Sequence, residues 1–187
     1  MLMALTLSAC IEEPMKEDVP ELITKATLTF TPVGGGSAVV VSAIDPDGEG
    51  AQDIVADAAI VLEQNKTYVL TLSLFNELAD PTSPEYNITN EVQEEGDEHL
   101  FFFAWTNNLF SMPSGDGNID DRSHEIDYQD NDGKNPIGLT TRWKTISAMG
   151  SGTFRMVLKH QPGLKSTTST SHDGETDLDL TFDIQIQ

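Results

Sequence analysis

Four histidines and a dense set of carboxylates are the residues of this chain best suited to chemistry. His99 follows Glu94, Glu95, Asp97 and Glu98 and shares the two-residue phase of Phe101, Phe103 and Trp105. His160 ends a second apolar run, in the phase of Phe154, Met156 and Leu158. Imidazole with carboxylate is a ligand set for zinc or copper, and two histidines can also ligate haem. The candidate metal set is therefore His99, His160, His124, Asp97 and Glu98, with a divalent ion as the one cofactor suggested. Their spacing matches no zinc motif, so the fold would have to gather them. The ordinary alternative is a hydrogen-bonded histidine at a strand end, next to a solvated acidic turn.

Asp116, Asn118 and Asp120 offer an oxygen at every second residue, like the opening of a calcium loop. Asp127 stands where the closing carboxylate would. Asp121 replaces the usual glycine, and no flanking helices are expected. Asp45, Asp47 and Glu49, and separately Asp130 and Asp132, are shorter versions of the pattern. Turn formation by Asp, Asn and Gly accounts for all of them equally well. Among the aromatics, Phe103, Trp105 and Trp143 are candidates for a ligand groove or an interface. Most aromatics read as core, with Trp143 the expected exception because Arg142 and Lys144 flank it. The chain has no Gly-x-Ser-x-Gly elbow, no His-Glu-x-x-His and no phosphate-cradling glycine loop. Carboxylate pairs are too frequent here for any pair to nominate a glycosidase. No enzyme is expected.

The elements that must position these residues are strands. Leu22, Ala26, Leu28 and Phe30 share one phase, with Lys25, Thr27, Thr29 and Thr31 in the other. Similar runs cover residues 37–44, 58–63, 67–76, 98–106, 123–128, 139–148, 153–160 and 176–187. In the last, Leu178, Leu180, Phe182, Ile184 and Ile186 point inward and Asp177, Asp179, Thr181, Asp183 and Gln185 outward. Both phases of 98–106 are apolar, which predicts a central strand covered on both faces. Gly150 to Gly152 is read as the turn of a hairpin joining 139–148 to 153–160. Residues 88–96 are the only plausible helix. The expected fold is an all-β, antiparallel β-sandwich of about nine strands with at most one short helix.

The chain has 187 residues and a net charge of −21, from 31 acidic and 10 basic side chains. That charge repels phosphate backbones, which argues against nucleic acid as a partner, and attracts divalent cations. Length and periodicity give one sandwich domain over residues 22–187, preceded by an acidic, proline-broken tether over 10–21. Residues 1–9 read as the end of a signal peptide. Leu7-Ser8-Ala9-Cys10 is the pattern that bacterial lipoprotein processing recognises, and Cys10 is the only cysteine. No basic residue precedes Lys16, so the start is expected upstream. Each buried acyl CH₂ contributes about 0.8 kcal/mol and stable anchoring takes more than one chain, so Cys10 is expected to carry several acyl groups such as palmitate. The membrane is then a partner through that lipid anchor.

The acidic run after Cys10 resembles the export signal of surface-exposed lipoproteins in Bacteroidota. Glu21 to Gly36, Asp97 to Phe103, Gly150 to Ser166 and Gly174 to Gln187 together resemble a family of small Bacteroidota lipoproteins, over essentially the whole mature chain. The resemblance implies an outer-membrane lipoprotein, on the periplasmic face or the cell surface, accessory to a TonB-dependent receptor. Such proteins are often described as having a type 1 periplasmic binding fold. That description implies strand–helix–strand units, which the alternation here opposes.

Overall fold

Alternation dominates the fold as it dominates the sequence. The computed structural model describes residues 21–48, 53–119 and 126–187. Eleven strands lie among them: β1 (Lys25–Pro32), β2 (Val39–Ile44), β3 (Val55–Ala56), β4 (Ile60–Leu62), β5 (Thr67–Phe75), β6 (His99–Trp105), β7 (Phe110–Met112), β8 (Asp127–Tyr128), β9 (Thr140–Thr145), β10 (Gly150–His160) and β11 (Glu175–Ile186). The single α-helix among the described residues, α1 (Ile88–Glu94), follows a short 3-10 turn at Pro84–Tyr86. The two strands beyond the expected nine are β3 and β7, of two and three residues, too short to show a period.

One sheet has the order β3-β2-β1-β5-β9-β7, with β8 also on β9; the other is β4-β11-β10-β6. All pairings are antiparallel except the three-residue contact of β4 with β11. The inner faces meet through Leu28, Phe30, Leu70 and Trp143 on one side and Phe103, Phe154, Met156 and Phe182 on the other. Rings interdigitate across the gap, with Phe30 edge-on to Phe154 at 6.1 Å and Trp143 edge-on to Phe154 at 5.1 Å. This is a sandwich core, held by apolar burial with favourable aromatic geometry. The helix α1 joins β5 to β6, which lie in different sheets, so no strand–helix–strand unit within one sheet occurs among the described residues.

Two expectations change. Residues 139–148 and 153–160 do not form a hairpin, since β9 belongs to the larger sheet and β10 to the smaller. Gly150 and Gly152 lie inside β10, opposite Ile186 and Ile184. A Cβ on Gly152 would stand 2.7 Å from Thr106 Oγ1 and 3.0 Å from its carbonyl oxygen, so glycine serves close approach here and not a turn. Second, β6 ends its sheet instead of lying centrally. Its burial comes from loops that take up the open edge. Phe101 N–H donates to the Ile137 carbonyl at 2.7 Å, and Trp105 and Gly117 exchange backbone hydrogen bonds at 2.9 and 3.3 Å.

Candidate metal centre

At one end of the sandwich the short helix turns the chain into β6. Asn87 caps α1 through Asn90 N–H, while Ile88 and Val92 bury one face. The Thr89 hydroxyl accepts from Leu74 N–H at 2.7 Å and donates to its carbonyl at 3.1 Å, fastening the helix to β5. The helix closes on Glu95, whose carbonyl accepts from the backbone N–H groups of Glu98 and His99. The same carbonyl lies 3.1 Å from His99 Nδ1. A carbonyl only accepts, so Nδ1 carries the proton and His99 presents Nε2 on the other side of its ring.

His99 pairs across the ladder with His160 of β10. Both side chains point inward and are buried, and their rings stack at 4.6 Å with planes 6° apart. His160 Nε2 is 3.2 Å from Glu98 Oε2. As donor to that carboxylate, Nε2 leaves the His160 lone pair on Nδ1. Each imidazole thus has one nitrogen held by an oxygen acceptor, as metal-bound histidines do. One ligand atom each from Glu95, His99 and His160 lies within 4.8 Å of the other two. Glu95 is also grouped with Glu21 and Glu91, which adds negative potential around it.

Asp177 is the residue the sequence misplaces. Register runs Leu158 opposite Leu178, then Lys159 opposite Thr176, so Asp177 is the extra residue of a β-bulge. The bulge breaks the two-residue phase and turns inward a carboxylate that alternation sends outward with Asp179 and Asp183. Its side chain is fully buried, with Oδ2 3.7 Å from His99 Nε2. Burial pushes the Asp177 carboxyl up to about 6, against the opposing pull of His160, the Glu21 backbone N–H and Lys159. Glu95 left a sequence signal, because Glu91, Glu95 and His99 recur every four residues. No sequence signal marks the bulge.

Of the expected metal set, the structure brings together His99, His160 and Glu98. Asp97 is exposed, lines an outer depression with Gln93, Asp132 and Lys134, and joins no cluster of ligand atoms among the described residues. His124 and Cys10 lie outside the described residues, as does Asp120 of the calcium pattern. Asp116 spends its carboxylate on Asn108 N–H at 2.6 Å, and Asp127 accepts from Gln129 Nε2 at 2.6 Å. Neither joins a cluster of three or more His, Cys, Asp or Glu ligand atoms among the described residues. Asn118 follows Gly117 in the loop clasped on Trp105. Asp45 and Asp132 likewise accept backbone N–H groups two and three residues on, as turn residues do.

The aromatic candidates are core. Trp143, Trp105 and Phe103 are at most 2% exposed, so no groove or interface reaches them. Trp143 Nε1 donates to Thr141 Oγ1 at 2.8 Å, and Trp105 Nε1 to the Gly115 carbonyl at 2.6 Å. The charges beside Trp143 follow from strand alternation: Arg142 and Lys144 occupy the outward positions of β9 and Trp143 the inward one. Comparison with protein-family models, with curated proteins and with solved structures finds no match to this chain.

Proposed function

We propose that this chain is a non-enzymatic module that captures a divalent transition metal at the α1 end of its sandwich, outside the cytoplasm. The observation that carries the reading is the buried, stacked pair His99 and His160 with a Glu95 ligand atom within 4.8 Å of both. Two imidazoles and a carboxylate suit zinc or copper(II) more than magnesium or calcium. Haem fits poorly, because rings stacked at 4.6 Å leave no space for a porphyrin plane between their nitrogens. The net charge of −21 favours cation approach at low ionic strength.

The location rests on Leu7-Ser8-Ala9-Cys10. Lipid on that cysteine would hold the domain at the outer membrane, with the acidic tether as spacer, and a receptor in that membrane is the natural recipient of captured metal. Calorimetry of the metal-free protein with zinc and with copper tests the capture. One ion bound per chain at micromolar affinity or better is expected, lost in His99→Ala and His160→Ala, and no heat with either metal defeats it. Mass spectrometry of Cys10 from the native host, with co-purification from detergent-solubilised membranes, tests the anchor and the receptor.

A further inference from the structure

We propose that the ion reaches this centre through an acidic cavity beside α1, with Glu85 and Glu94 at its mouth. Glu21, Glu91 and Glu95 then form a carboxylate station, from which Glu95 passes the ion to His99 and His160. The inference rests on the metal-binding reading above and names the route by which that site is loaded.

The route follows from the position of Glu95. His99 is fully buried and His160 nearly so, whereas Glu95 is half-buried. Besides its place with the two histidines, Glu95 belongs to a second group, in which one ligand atom each from Glu21, Glu91 and Glu95 lies within 4.8 Å of the other two. Three carboxylates alone would mean little on a chain with 31 acidic side chains. These three share a member with the imidazole pair, and two of them line a cavity of about 470 Å³.

Local structure accounts for the charge of that cavity. Glu91 and Glu95 are four residues apart at the end of α1 and so share one face, as do Asn90 and Glu94. Glu85 joins them from the 3-10 turn at Pro84–Tyr86. Four glutamates and no Lys, Arg or His line the cavity. Exposure falls along it in order: Glu85 and Glu94 are exposed, Glu91 and Glu95 half-buried, and the histidines buried. A cleft lined by one sign of charge focuses its field and concentrates counter-ions. The other cavity beside α1, of about 500 Å³, is a poorer entrance for a cation. Lys134 and Lys165 line it among its acids, and its Glu98 is already held by His160 Nε2 at 3.2 Å. The donor sets fix the direction of transfer. Carboxylates alone suit hard cations, whereas imidazole suits zinc and copper, so an ion at the station gains by moving on to His99 and His160.

Zinc uptake by the metal-free full chain, followed by stopped flow against a zinc indicator, tests the route. The variants are Glu85→Lys, Glu91→Gln and the control Asp97→Lys, which alters the other cavity. Focusing of this kind is worth roughly 10–10³-fold in association rate, so Glu85→Lys should slow uptake by about tenfold at low ionic strength. The deficit should shrink with added salt, as the Debye length shortens to about 3 Å at 1 M. Glu91→Gln should slow uptake by about threefold. One ion should still bind per chain, because His99, His160 and Glu95 remain. Asp97→Lys should load at close to the wild-type rate. Uptake at the wild-type rate in Glu85→Lys or Glu91→Gln, or equal slowing in Asp97→Lys, overturns the route and leaves the metal-binding reading standing. A wild type that binds no zinc overturns both.

Discussion

The charge on Asp177 predicts a stability penalty in the metal-free protein, and its size follows from the burial. The carboxyl moves from an ordinary 3.8 to about 6 on folding, chiefly through desolvation. At about 1.36 kcal/mol per pH unit, the ionised form loses roughly 3 kcal/mol of folding stability relative to the neutral form. The sign is set by which state holds the proton more tightly. The folded state does, so the protein is relieved of the penalty well below 3.8, where Asp177 is neutral in both states. Stability from this group falls as pH rises from 4 to 6 and stays low above that.

Asp177→Asn removes the charge and nearly preserves the shape. In protein stripped of metal with EDTA, it should therefore raise stability by up to about 3 kcal/mol at pH 7.5 and by only about 0.5 kcal/mol at pH 4. In a domain of this size that is roughly 6–12 °C in Tm. Thermal melts and urea titrations across pH 4–8 measure it. A gain that does not vary with pH would refute the assignment of the penalty to Asp177. Destabilisation of the variant near pH 6 would refute it in another way, by showing that Asp177 is held as the partner of a protonated His99. Added zinc should stabilise the wild-type protein by an amount of the same order. At a hundredfold excess over its Kd, a ligand specific to the folded state stabilises by about 2.7 kcal/mol, close to the whole penalty.

Two further substitutions probe the supports of the site. Gly174 has φ +73°, and a Cβ there would lie 2.0 Å from the His160 carbonyl oxygen; Gly174→Ala should lower both Tm and zinc affinity. Gly163→Ala, with similar positive φ but nothing within 4 Å, should leave the affinity unchanged. Gly117→Ala would place a methyl 2.2 Å from Trp105 Cε3, so it should cost about 1–3 kcal/mol in a melt, with red-shifted tryptophan fluorescence as Trp105 is forced from its bed.

Much of this fold is legible because strands read one residue at a time. In β5 and β11 the inward set Tyr68, Leu70, Leu72, Leu74 and Leu178, Leu180, Phe182, Ile184 follows the alternation residue for residue. The same rule sends His99 and His160 inward, each with its own apolar run. What alternation lacks is any statement of which strand lies beside which. The sequence neighbours β9 and β10 separate into different sheets, whereas His99 and His160 become cross-strand partners although they are far apart along the chain. The pairing is decided by apolar burial over whole strands, with Phe101 opposite Leu158 and Phe103 opposite Met156, and the histidines are carried to each other at the end of that ladder.

The bulge at Asp177 shows how such a site arises from a fold that local rules otherwise explain. In unbroken alternation Asp177 is a surface residue like Asp179, whose carboxylate meets Arg155 in an exposed pair at 2.6 Å. One extra residue between Leu178 and Thr176 changes its face, its solvent and its charge balance together. Apolar packing alone would not favour that insertion, because it buries a carboxylate and gains no hydrophobic area in return. A function that needs the carboxylate is the economical account of its being there, and the nearest chemistry that needs one is the imidazole nitrogen 3.7 Å away.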